Sequence, residues 1–72
     1  MAASSLLPLR ADQILRQSPI PALRRLQVKE TDQEVVLSGA VSSYYLKQLA
    51  QETIMPVLGS RELRNQVRVT RA

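Results

Sequence analysis

The sequence contains no cysteine, no histidine, no tryptophan and no phenylalanine. Without cysteine there is no disulfide staple and no thiol chemistry. Without histidine as well, the usual zinc ligand sets and any histidine-based triad or acid–base relay are excluded. Glycine occurs only at Gly39 and Gly59, and neither belongs to a glycine-rich loop of the kind that cradles phosphates. Apolar runs are a few residues long, too short for a helix that crosses a membrane. The opening stretch from Met1 to Arg10 has no basic leader ahead of its apolar residues. The expectation is a cytoplasmic protein without a secretory signal.

What remains is an ordinary globular composition, 44% hydrophobic and 22% charged over 72 residues. That length holds one domain, which buries about 60% of its unfolded surface and gains a stability of about 4–11 kcal/mol. The formal net charge is +4, and eight of the ten cations are arginine. Arginine favours planar, paired contacts with phosphate or carboxylate over diffuse attraction. Arg61, Arg64, Arg68 and Arg71 crowd the last twelve residues, offset by Glu62. Such a stretch suits nucleic acid or lipid headgroups, and equally a solvated strand face kept soluble by charge.

Residues 1–10 show no period and read as a flexible segment, leaving 11–72 as the domain. Asp12 is placed to cap a short helix containing Ile14 and Leu15. Ser18-Pro19-Ile20-Pro21 either ends that helix or breaks it in two, with Pro21 opening the second piece. Leu26, Val28 and Glu30 alternate with Gln27 and Lys29, so residues 25–30 form a half-buried strand. Thr31-Asp32-Gln33 reads as a hairpin loop, and 34–41 as a second, antiparallel strand. Val35, Leu37, Gly39 and Val41 share its buried parity. Gly39 there either lets a packed helix come close or permits a bulge.

Ser42 or Ser43 caps the main helix, near 43–55, whose apolar stripe includes Leu46, Leu49, Ala50 and Ile54. Tyr45 falls at the edge of that stripe, and Tyr44 nearly opposite it. Pro56 should bend or end the helix, with Gly59 as the left-handed exit. The last strand, 62–70, points Leu63, Asn65, Val67 and Val69 inward and Glu62, Arg64, Gln66 and Arg68 outward. The fold class is therefore α+β, a two-layer sandwich in the order α-β-β-α-β. A right-handed crossover makes the second and third strands parallel in a three-stranded mixed sheet, with two helices on one face.

The pattern Val35-x-Leu37-x-Gly39-x-Val41, then a capped helix with Leu46, Ala50 and Ile54, then Gly59-x-x-x-Leu63-x-Asn65-x-Val67-x-Val69 resembles the BON domain (bacterial OsmY and nodulation). The likeness runs over about residues 12–70. It implies a bacterial origin and a role in binding phospholipid membranes or partner proteins. Many members are periplasmic or outer-membrane and carry two or more copies. This chain has one copy and no signal sequence, so a periplasmic role is not carried over.

Catalysis fails on inventory. Serine, threonine and tyrosine have no base to activate them, and Asp32 and Glu34 sit in or beside a turn. No enzyme activity, no cofactor and no metal are expected. Gly39, Gly59 and Asn65 read as structural, Asn65 satisfying backbone near a strand or helix end. Binding is expected on the uncovered sheet face, centred on Lys29, Arg64 and Arg68 with Val36 and Ala40 between them. The competing site is Tyr44 with Lys47 on the main helix. Leu6, Leu7 and Leu9 offer a further apolar attachment point. The partner expected is a protein or an anionic phospholipid surface. Nucleic acid is a rival that lacks stacking aromatics on the strands or a basic recognition helix. A homodimer, formed through the sheet face or an edge strand, is the third reading.

Overall fold

A computed structural model describes residues 11–70. Two short helices, α1 (Ala11–Arg16) and α2 (Pro21–Arg24), precede strand β1 (Gln27–Glu30). Strands β2 (Glu34–Ser38) and β3 (Ala40–Val41) lead into the main helix α3 (Tyr44–Leu58). The chain closes with β4 (Glu62–Asn65) and β5 (Arg68–Val69). The expected segment 1–10 lies outside the described residues.

The proline-bearing link breaks the first helix in two, so three helical segments pack on the sheet where two helices were expected. Ser18 organises the break. Its hydroxyl accepts from the Ile20 amide at 3.1 Å, and its carbonyl accepts from Arg24 Nη1 at 2.8 Å. Pro21 stands at the first turn of α2, where its missing donor costs nothing. Asp12 lies inside the first turn of α1 and not ahead of it, and its carboxylate meets Arg16 at 3.1 Å.

Strand β2 is central, antiparallel to β1 and parallel to β4. The small β3–β5 pair continues the parallel ladder: Glu34 faces Glu62 and Ala40 faces Arg68 at one and the same offset. Ladder bonds cross the gap, from the Gln66 amide to the Leu37 carbonyl (2.8 Å) and from Arg68 to Gly39 (2.9 Å). The expected strands 34–41 and 62–70 are thus each one strand with an interruption, and Val69, expected inward with Val67, is exposed in the two-residue β5 that ends the ladder. At the hairpin, the Thr31 hydroxyl accepts from the Gln33 and Glu34 amides at 3.1 and 3.0 Å, which orders a loop that has no glycine.

Leu15, Leu23, Leu26, Val35, Leu37, Ile54 and Val67 are fully buried in one cluster between sheet and helices. Each contributes about 1.5–3 kcal/mol by leaving water. The Ser43 hydroxyl caps α3 by accepting from the Leu46 amide at 3.2 Å.

Helix α3 runs through Pro56 to Leu58, beyond the end expected at Met55. Pro56 lies in the last turn, where it removes a single intrahelical bond. Carbonyls left without intrahelical partners at the helix end are held by one side chain. Arg61 donates from Nη2 to Val57 O at 2.8 Å and from Nε to Leu58 O at 3.0 Å. Gly59 then turns the chain at φ 66, as expected of it.

Candidate functional site

Alternation along the strands sends one set of side chains to the helices and the other to the uncovered side. Register then arranges the second set in rows. Lys29, Val36 and Arg64 stand side by side across β1, β2 and β4. Gln27 and Ser38 form the next row, and Ala40 stands beside Arg68 in the one after. Lys29, Ala40, Arg64 and Arg68 are exposed and Val36 is half-buried. All five residues singled out on this face in the sequence therefore lie together. Lys29 and Arg64 flank Val36 on either side and Arg68 stands beside Ala40, so cations border the apolar pair.

Beside Glu62, expected outward, the face carries Glu34, which the sequence reading left with the turn. Glu34 faces Glu62 at the hairpin end, and the Glu34 carboxylate lies 3.4 Å from Arg64 Nε. The signal was present in the parity of Glu34 with Val36 and Ser38. Reading down the strands, an acidic row is followed by a cationic row, then a neutral row, then Arg68. Three cations and two carboxylates make a mixed surface, where an apolar centre flanked by cations was expected with Glu62 as its one acid.

Several arginines are committed elsewhere. Arg61, counted with the basic C-terminal stretch, folds under the sheet's far side and meets Glu30 at 2.9 Å, the two side chains 10% and 7% exposed. The other Glu30 oxygen accepts from the Asp12 amide at 3.1 Å. Arg16 donates to the carbonyls of Arg24 and Leu26. Lys29 and Arg68 form no ion pair among the described residues.

The structural trio divides by cause. Gly39 adopts φ +125, and a Cβ built there would lie 2.9 Å from Leu26 Cδ2 and 3.6 Å from Leu26 Cα. The close neighbour is the residue leading into β1, not a helix as expected. The left-handed backbone is a second reason for glycine. Gly59 has open space around it, so its φ alone selects glycine.

Asn65 faces inward and has partners for both ends of its amide. Nδ2 donates to Lys47 O at 3.1 Å and to Gln51 Oε1 at 3.3 Å. Oδ1 accepts from the Val67 amide at 3.2 Å, two residues on, where β4 gives way to β5. It links the last strand to α3.

The competing pair lies on α3. Tyr44 is 67% exposed, whereas Lys47 is half-buried. Tyr45, expected at the edge of the apolar stripe, is 70% exposed. Leu6, Leu7 and Leu9 lie outside the described residues. Among the described residues no group of three or more acidic side chains converges as a metal site. No helix among them is long and apolar enough to cross a membrane.

No curated protein and no solved structure matches the chain. A family model described as BON domain matches residues 10–71, nearly the whole chain. That span contains Gly39 at the strand break, the capped α3 and the closing strand whose Asn65 ties it to that helix. The chain belongs to the BON domain family, a family of non-catalytic binding modules.

Proposed function

We propose that this chain is a non-catalytic module that binds a protein partner through its open sheet face. The observation that carries the reading is the mixed row order on that face. Val36 and Ala40 supply apolar contact, Lys29 and Arg68 supply cations with no ion pair among the described residues, and Glu34 and Glu62 supply carboxylates. A partner protein offers both charge signs and apolar groups against such a pattern. An anionic membrane offers one sign and would be opposed by the acidic row. Arginine stems lying over Val36 and Ala40 would extend the apolar contact while their guanidinium groups meet carboxylates in pairs.

The test compares wild type with the Arg64→Glu/Arg68→Glu variant, in retention from a bacterial lysate and in flotation with vesicles of neutral or anionic phospholipid. The reading expects retention of a discrete protein by wild type, loss of it in the variant, and no flotation. Flotation with anionic vesicles alone, lost at high salt, would transfer the function to the phospholipid reading. Retention by the variant but not by Tyr44→Ala would move the site to α3.

A further inference from the structure

Helix α3 buries Ala50 and Ile54 and packs Leu46, Leu49 and Val57 against the core. At about 100° per residue the side turned from the core carries Gln48, Glu52 and Met55 with Tyr45 at its margin, the four spaced three, four and three residues apart. All four are exposed, Tyr45 at 70% and Met55 at 50%. The spacing is that of the contact seam between two helices, and no element among the described residues covers it.

The seam reads the same under a twofold axis. Turned end over end about the level of Ala50, position 45 meets position 55 and position 48 meets position 52. Each Tyr45 ring would meet the second copy's Met55 thioether, a favourable aromatic–sulfur contact. Each Gln48 amide would donate to the second copy's Glu52 carboxylate, a charge-assisted hydrogen bond formed twice. Glu52 has no ion pair among the described residues, so its carboxylate is available.

Charge selects the same side. With a net charge of +4, two copies repel wherever their cations face one another. Tyr44, Tyr45, Gln48, Glu52, Met55 and Pro56 are the exposed positions of α3, and the one formal charge among them is Glu52. Tyrosine and methionine are also enriched at protein interfaces, where lysine is depleted.

We infer that the chain forms an antiparallel, twofold-symmetric homodimer through the Tyr45–Gln48–Glu52–Met55 strip of α3. The contact involves about three helical turns on each side, so it falls at the small end of interfaces and associates at micromolar rather than nanomolar concentration. The strip lies on the far side of α3 from the sheet. Pairing there leaves both open sheet faces outward, and a dimer so built presents two of them for simultaneous engagement. The inference does not depend on what those faces bind.

Sedimentation velocity on the full chain, from micromolar to millimolar concentration, tests it. Wild type shows reversible monomer–dimer association. Gln48→Glu sets like charges opposite each other twice and raises the dissociation constant by about tenfold or more. Gln48→Glu/Glu52→Gln has the same net charge as wild type and restores the pairs in the reverse sense. It returns the dissociation constant to near the wild-type value. Both positions are exposed, so thermal melts of the variants should match wild type and separate lost association from lost folding. A monomer at every concentration, a dimer indifferent to Gln48→Glu, or a loss that the exchange does not reverse would each overturn the inference.

Discussion

Arg61 and Arg64 are three residues apart, and each meets a glutamate from an earlier strand, yet the two pairs belong to different parts of the molecule. The Arg61–Glu30 pair has side chains 10% and 7% exposed at 2.9 Å, and further bonds tie it to the end of α3 and the start of α1. The Arg64–Glu34 pair is 55% and 38% exposed at 3.4 Å and lies on the open face. In water the second is worth about 0–1 kcal/mol, because solvent screens it and two mobile side chains must be held. The first gains more Coulomb attraction and loses more hydration, so its net value is modest while the loss of one partner is severe. Burial converts one of two like pairs into a fold-joining bond and leaves the other available to a partner.

The sharpest way to break this comparison is Arg61→Ala. It strands the Glu30 carboxylate, takes the side-chain donor from Val57 O and leaves Leu58 O only the residue 61 amide, and should cost about 3–5 kcal/mol in urea unfolding. In a domain whose whole stability is about 4–11 kcal/mol, much of the population could be unfolded at the lower end. A cost equal to that of Arg64→Ala would show that burial does not separate the pairs.

Gly39→Val comes next, at about 2–4 kcal/mol. It forces a branched side chain into φ +125 and against Leu26. An unchanged melting temperature would mean that Leu26 and the backbone both relax freely. Asn65→Ala should cost about 1–3 kcal/mol, since the Val67 amide loses its acceptor and the strand loses its ties to Lys47 and Gln51. Amide exchange at Val67 should accelerate relative to Leu37. The smallest effect is expected for Arg64→Ala, under about 1 kcal/mol in the same urea titration. A loss as large as that for Asn65→Ala would place Arg64 in the fold and not on a free surface.

Much of the fold was legible in residue order. Alternation at Val35 and Leu37, the Ser43 cap, the glycine exit at Gly59 and the inward parity of Asn65 are local signals, and each stands in the structure as read. Pro56 misled because a proline in the last turn costs one bond, too little to end the helix there, and the side chain that caps the helix end comes from beyond it. Tyr45 misled because angular position gives the direction of a side chain and not the extent of what packs there. The candidate face was legible as a set of residues, Glu62 among them; Glu34, which completes the acidic row, was not placed on it because it was read with the turn.

By itself the sequence determined the α-β-β-α-β order, the parity of the strands as far as Val67 and the division of the chain into an apolar and a polar side. Those properties depend on periods of two and about 3.6 residues, which any local stretch displays. Tertiary structure decided which arginine is buried, which strand is central, and which residue stands beside which across the sheet. Glu30 and Arg61 are 31 residues apart, and nothing local to either one names the other. Their meeting depends on β1 pairing with β2, on β4 returning parallel, and on α3 ending where its last carbonyls face Arg61. Such pairings are fixed only when the whole core closes, because each depends on the register of elements that do not neighbour one another in sequence.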